Sequence, residues 1–275
     1  MKEEKKMKKV FLLILLTALS GCQNENHEER IISLMPSNTE ILYAMGLGDE
    51  VIGVTTNDDY PEDVASKEKF DSFNLNKEQL LRMKPSIIVT HESAQMSQQK
   101  VLESLEDKGI KVVYIKEAKK LDEIDETVMQ LAEAVGHQKE GKKVADKLNQ
   151  EIEDVIHKYQ YLPNRDVFVE VSSEPDLYTA GQGTLFDDML TRLGSTNVFH
   201  DLSGWQPVAL ETMLRRKPDV MVSMTGMPTE DYTKLVHSRP GSSKVEAVSL
   251  NDDWITRPGP RIAKGLEQLA EALDQ

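Results

Sequence analysis

Six short stretches of this 275-residue chain place polar and aromatic side chains between apolar runs: MPSNTE (35–40), TNDDYP (55–60), THES (90–93), EPDLYTAG (174–181), SGWQP (203–207) and NDDWITRPGPR (251–261). Hydroxyls, carboxylates, guanidinium groups and flat rings in that mixture can hold a small molecule by a few directed hydrogen bonds and by stacking. They do not assemble a reaction centre. HExxH, GxSxG, P-loop and CxxC patterns are all absent, so the sequence gives no sign of an enzyme. The six histidines contain no pair at i,i+2 or i,i+4, and no preformed metal site is expected. GQG at 181–183 lacks the rest of a dinucleotide fingerprint and reads as a tight turn, with Thr184 starting a helix. His91 could ligate a metal ion through its imidazole, but an exposed loop histidine beside Glu92 is the simpler reading. Asp253 and Arg257, four residues apart, could face a ligand or simply pair with each other. Ser37 or Asn38 could serve only as a helix cap, and Trp205 and Trp254 as ordinary core or lobe-interface residues.

The elements that must position these loops follow from periodicity. IISLM (31–35), VIGVT (51–55), SIIVT (86–90) and KVVYI (111–115) read as strands separated by helical patterns, one over SNTEILYAMGLG and one around 95–108. That alternation predicts a mainly parallel sheet covered on both faces. From 121 to 159 no strand signal occurs. DEIDETVMQLAEAVG predicts one amphipathic helix and GKKVADKLNQEIEDVIHKYQ a second, with Val144, Leu148, Ile152, Val155 and Ile156 on a stripe. Strands resume with DVFVEV (166–171), DVMVSM (219–224) and VEAVSL (245–250), interleaved with helices and closed by one over 260–273. Open parallel sheets bind ligands beyond the carboxyl ends of their strands, where all six loops fall, three from each half.

The two halves repeat a phrase. EQLLRMKPSIIV begins at Glu78 and ETMLRRKPDVMV at Glu211, 133 residues later. The expected organisation is an N-terminal lobe (31–136), a linking helix (137–161) and a C-terminal lobe (162–275). Each leading glutamate would stand in the first turn of a helix, where a negative charge suits the dipole.

The first residues belong to export. A lysine-rich start, the apolar run FLLILLTAL and the small residues of LSGC have the layout of a secretory signal over 1–21. LSGC resembles a bacterial lipobox, which implies cleavage before Cys22 and lipid modification of its thiol. Cys22 is the sole cysteine, so no internal disulfide can form. The polar stretch 22–30 reads as a flexible tether. Loss of 1–21, with its five lysines and two glutamates, takes the net charge from −14 to −17. Such a surface repels phosphate backbones and argues against nucleic acid as a partner.

RIISLMPSNTEILYAMGLGDEVIGV, the paired glutamate phrases and NDDWITRPGPRIAKGLEQLAEAL together resemble the substrate-binding proteins of cobalamin/iron-chelate ABC importers, most closely the vitamin B12-binding branch. The resemblance covers 30–275. It implies two Rossmann-like α/β lobes joined by a single long helix, the class III (helical-backbone) arrangement, with a ligand held between them without large closure. It implies cobalamin as transported ligand, with haem or a ferric siderophore as the alternative, and no resident cofactor or metal. Pro36, Ser37, Tyr178, Trp205, Asp253 and Arg257 match positions lining the corrin site. Asn57 stands where a cleft tyrosine is expected, His91 where a tryptophan is expected, and Phe73 substitutes for another aromatic in FDSFNLN. Glu78 and Glu211 match glutamates that engage arginines of the membrane permease. The implied protein is a monomer on the extracytoplasmic face of a bacterial membrane, attached only by its lipid. A ligand-free adaptor or an extracellular enzyme would be a different use of the same fold.

Overall fold

The computed structural model describes residues 29–173 and 176–275. The signal segment, Cys22 and the tether up to 28 lie outside the described residues, as do the first two residues of the 174–181 loop. Among the described residues no helix is long and apolar enough to cross a membrane.

The first half contains β1 (Ile31–Ser33), α1 (Pro36–Ala44), β2 (Val51–Thr55), β3 (Glu68–Phe70), α2 (Lys77–Arg82), β4 (Ile87–His91), α3 (Ala94–Ser97), α4 (Gln99–Glu106) and β5 (Lys111–Ile115). Its five strands form one parallel sheet in the order β3-β2-β1-β4-β5. The chain moves outward from β1 in one direction and then crosses over to build β4 and β5 on the other side. The switch point therefore lies between β1 and β4. Strand β3 is not predicted by the sequence pattern, because Glu-Lys-Phe is short and charged. It is fixed tertiarily: a Cβ on Gly53 of β2 would stand 2.5 Å from the Phe70 ring, so that ring occupies the space a side chain would need.

Two antiparallel helices follow, α5 (Ile124–Ala134) and α6 (Gln138–Lys158). Gly141 lets them meet closely, since a Cβ there would lie 2.2 Å from that of Ala132. Helix α6 has 21 residues, about 30 Å at 1.5 Å per residue. Its buried stripe is Gly141, Ala145, Leu148, Ile152 and Val155. Ala145 packs into the core of the first sheet, whereas Leu148, Ile152 and Val155 pack into that of the second. One apolar face thus serves two cores.

The second half contains β6 (Asp166–Glu170), β7 (Tyr178–Ala180), α7 (Leu185–Arg192), β8 (Thr196–Asn197), β9 (Trp205–Pro207), α8 (Leu210–Arg216), β10 (Val220–Ser223), α9 (Thr229–Ser238), β11 (Glu246–Ser249), α10 (Asp252–Thr256) and α11 (Ile262–Leu273). Four strands form a parallel sheet, β11-β10-β6-β8, with its switch point between β6 and β10. The loops read at 174–181 and 203–207 differ from expectation. They pair as an antiparallel ribbon, β7 with β9, Tyr178 opposite Pro207 and Ala180 opposite Trp205. Three-residue strands joined by a long connection leave no local periodicity to read.

The repeated phrase is a repeat of structure as well as of letters. Glu78 and Glu211 are both exposed, in the first turns of α2 and α8. Leu80 and Met213, two residues on, are both fully buried. Lys84 (φ 49°) and Lys217 (φ 50°) stand just before the proline of each copy and are the non-glycine residues of positive φ among those described.

Candidate functional site

Both switch points open onto one cleft. On the first lobe, the chain leaving β1 enters α1 through Met35, and Ser37 and Asn38 line the cleft from that helix's first turn. Met35 is the N-cap and makes no side-chain capping bond, with Pro36 at the first helical position. Ser37 and Asn38 are therefore not caps. Asn38 instead donates from Nδ2 to the Thr90 carbonyl at 3.5 Å, tying α1 to β4. His91, the last residue of β4, lines the same wall. Its Nδ1 lies 2.8 Å from Ser93 Oγ and accepts from the Ser93 backbone N–H at 3.2 Å, which fixes the ring and leaves Nε2 for another partner.

The opposite wall belongs to the second lobe. Trp205 lines the cleft and is 45 % exposed, an unusual display for so large an apolar ring. Tyr178 is 37 % exposed and stands on the same face of the β7–β9 ribbon, diagonal to Trp205. Ile255, Thr256 and Pro258, around the end of α10, complete that wall. The enclosed part of the cleft measures ≈ 170 Å³. Of the residues expected from sequence, Ser37, His91 and Trp205 line this enclosed part; Pro36 precedes Ser37 in α1, and Tyr178 stands on β7, the strand paired with that of Trp205. Phe73 is 82 % exposed in the loop before α2 and does not line it.

Asn57, Asp253 and Arg257 form a different arrangement. Arg257 donates from Nη1 to Glu40 Oε1 (3.2 Å) and Asp59 Oδ1 (2.6 Å), and from Nη2 to the Asn57 carbonyl (3.3 Å). Its Nη2 also meets Asp253 Oδ1 at 2.5 Å, so the i,i+4 pair does form. Arg261, four residues further, grips Glu40 with both Nε (2.9 Å) and Nη2 (2.6 Å) and lies 4.3 Å over the Tyr60 ring. Glu40, Asn57, Asp59 and Tyr60 belong to the first lobe; Asp253, Arg257 and Arg261 belong to the second. Partial burial raises the Asp59 carboxyl, but the bonds from Arg257 and Asp253 outweigh it and leave it below the ordinary value. Burial and the facing Asp59 carboxyl hold Asp253 above it, against the pull of Arg257.

Several lining residues were not singled out from sequence. Ile115 ends β5 and Met224 follows β10, so the rule that ligands bind at strand ends could have found both. Phe186 of α7 and Thr127 of α5 reach the cleft only through packing. Glu117 lines it too, and His91, Glu92 and Glu117 each offer one metal-ligating atom within 4.8 Å of the others. An imidazole and two carboxylates are a donor set that suits a transition-metal ion.

Residues 31–252 match the family described as periplasmic binding protein. The chain is 35 % identical over 254 residues to an uncharacterized ABC transporter substrate-binding lipoprotein of Bacillus subtilis, YvrC, covering 89 % of this chain and 80 % of that one. It is 31 % identical over 249 residues to the vitamin B12-binding protein of Pectobacterium carotovorum, covering 89 % and 88 %. A crystal structure of a possible iron-binding (periplasmic solute-binding) protein from Staphylococcus epidermidis superposes with a TM-score of 0.82 at 42 % identity, covering 90 % of this chain and 99 % of that one. With the match running through both lobes and the cleft between them, the chain belongs to the periplasmic binding protein family.

Proposed function

We propose that the protein is a lipid-anchored, extracytoplasmic substrate-binding protein that captures a corrinoid, cobalamin, and presents it to an ABC importer. The observation that carries this reading is the opposition of an aromatic ribbon, Tyr178 and Trp205, to the polar wall of Ser37, Asn38 and His91 across the gap at two switch points. The relative named as a vitamin B12-binding protein supports it. The enclosed space of ≈ 170 Å³ is below the ~300–1,000 Å³ of ordinary small-molecule sites, so a macrocycle rests across the open mouth. There the exposed rings stack on its apolar faces, and the hydroxyl and amide of Ser37 and Asn38 meet its polar rim. No bond is made or broken. The protein binds and orients, and the importer's ATPase supplies the energy of transport. Cys22 is the site of lipid attachment and the only link to the membrane; the unit acts as a monomer.

Isothermal titration with cyanocobalamin, followed by absorption spectra after desalting, tests the reading. A tight one-to-one complex is expected, with quenching of Trp205 fluorescence by the bound corrinoid. Trp205→Ala should weaken it. Absence of heat at tens of micromolar would sink the cobalamin assignment. A second reading, haem or a ferric chelate as ligand, is favoured by the His91, Glu92 and Glu117 donors and by the iron-binding description of the staphylococcal protein. Retention of haem or a ferric siderophore in place of cobalamin would select it. Retention of none of the three would leave a ligand-free adaptor.

A further inference from the structure

We infer that Glu40, Arg257 and Arg261 form a clamp between the lobes that presets the width of the cleft, and that they act as positioning residues for the ligand. Glu40 is the acceptor at its centre. Its side chain is 1 % exposed, and it takes two bonds from Arg261 and one from Arg257, residues more than two hundred positions away in the other lobe. The Arg261 and Arg257 side chains are themselves 10 % and 13 % exposed. Buried, charge-assisted and, at Arg261, bidentate, this junction escapes most salt screening and has a fixed geometry. Arg257 extends it to Asp59 and the Asn57 carbonyl, and Arg261 to the Tyr60 ring.

The clamp is continuous with both walls of the cleft. Helix α1 carries Glu40 one turn after Ser37 and Asn38, which line the cleft. Arg257 sits between Thr256 and Pro258, which line it from the other side. On its far side a groove of ≈ 640 Å³ separates Glu40 and Arg261 from Lys147, Glu151 and Asp154 of the linking helix. The lobes are joined at the clamp, at the linking helix across this groove, and through Ala118, Leu121 and Ile124, which pack into the core of the second sheet, with the Leu121 N–H donating to Asp188. Both terminal nitrogens of Arg257 are already committed within the protein, in three contacts to the first lobe and one to Asp253 of its own.

Double electron–electron resonance between nitroxides at Glu103→Cys in the first lobe and Lys244→Cys in the second, in a Cys22→Ser background, reads the interlobe distance without ligand. The parent should give one narrow distribution. Glu40→Gln should broaden it or add a longer distance, and Arg257→Lys, which keeps the charge without the planar fork, should do so less. Asp59→Asn removes only an exposed arm of the clamp and keeps the test decisive if Glu40→Gln does not fold. Unchanged distributions in the folded variants would overturn the clamp. The effect on ligand rests on the proposed function: with cyanocobalamin as probe, release should quicken about tenfold in Glu40→Gln through lost preorganisation. Failure of that part alone, with broadened distances, would count against the ligand and not against the clamp.

Discussion

At the scale of single residues, the two carboxyls around Arg257 are held apart in acidity by their surroundings. Asp59 has a folded-state value below its ordinary 3.8 because bonds from Arg257 and Asp253 outweigh its partial burial. Its contribution to stability is therefore present above that ordinary value and is lost as pH falls through the folded one. Asp253 is raised, chiefly by burial and then by Asp59, so its contribution has the opposite sign: present in acid and lost as pH rises through its folded value. Arg257→Ala should move the Asp59 carboxyl upward, read by carbon-detected NMR titration of the aspartate side chains. A value unmoved by the substitution would show that Arg257 does not govern Asp59. The alternative recognised in the sequence, that Asp253 and Arg257 pair with each other, is what the structure contains. What spacing could not supply is that the same guanidinium also reaches Glu40 and Asp59, because that depends on which helix of the other lobe faces it.

At the scale of elements, the second lobe is pinned internally by a separate buried pair. Glu170 ends β6 with 1 % exposure, accepts from both terminal nitrogens of Arg239 (2.6 and 2.8 Å) and from the Tyr232 hydroxyl at 3.1 Å. Burial, followed by the Glu170 charge, raises Tyr232 well above its usual value, so it stays a neutral donor. Glu170→Ala would leave Arg239 buried and unpaired, which costs about 3–5 kcal/mol. Both tryptophans, Trp205 and Trp254, lie in this lobe, so their fluorescence in a urea titration reports its unfolding directly. A midpoint shift equivalent to under about 1 kcal/mol would mean that the cluster relaxes or hydrates. Among the helices of this lobe the closing one over 260–273 was legible in the sequence, whereas α9, which carries Tyr232, was not singled out. Strands β3, β7, β8 and β9 were not: each has two or three residues, and each is defined by its partner strand and not by its own pattern.

At the scale of the whole molecule, the repeat, the long helix and the net charge act together. Glu78 and Glu211 occupy the same exposed first-turn position in two lobes that α6 and the clamp hold in fixed relation. On the proposed function, this pair of acidic side chains would meet two basic counterparts on the permease, where such charges would govern encounter and register. Glu78→Ala combined with Glu211→Ala should leave cobalamin affinity unchanged while abolishing stimulation of the reconstituted importer's ATPase; transport that survives would refute the docking role. The sequence by itself determined what local chemistry encodes. Alternating strand and helix patterns specify parallel sheets in each half, an uninterrupted amphipathic run specifies the joining helix, and the strand ends specify where polar and aromatic loops gather. Only the tertiary structure decided which of those loop residues face the cleft and which face each other. Ser37, His91 and Trp205 reached the cleft, whereas Asn57, Asp253 and Arg257 became part of the seam between lobes. The reason is physical. A buried guanidinium must find acceptors wherever they stand in space, and for Arg257 and Arg261 the decisive one, Glu40, lies in the other lobe, where no periodicity of either segment could reveal it.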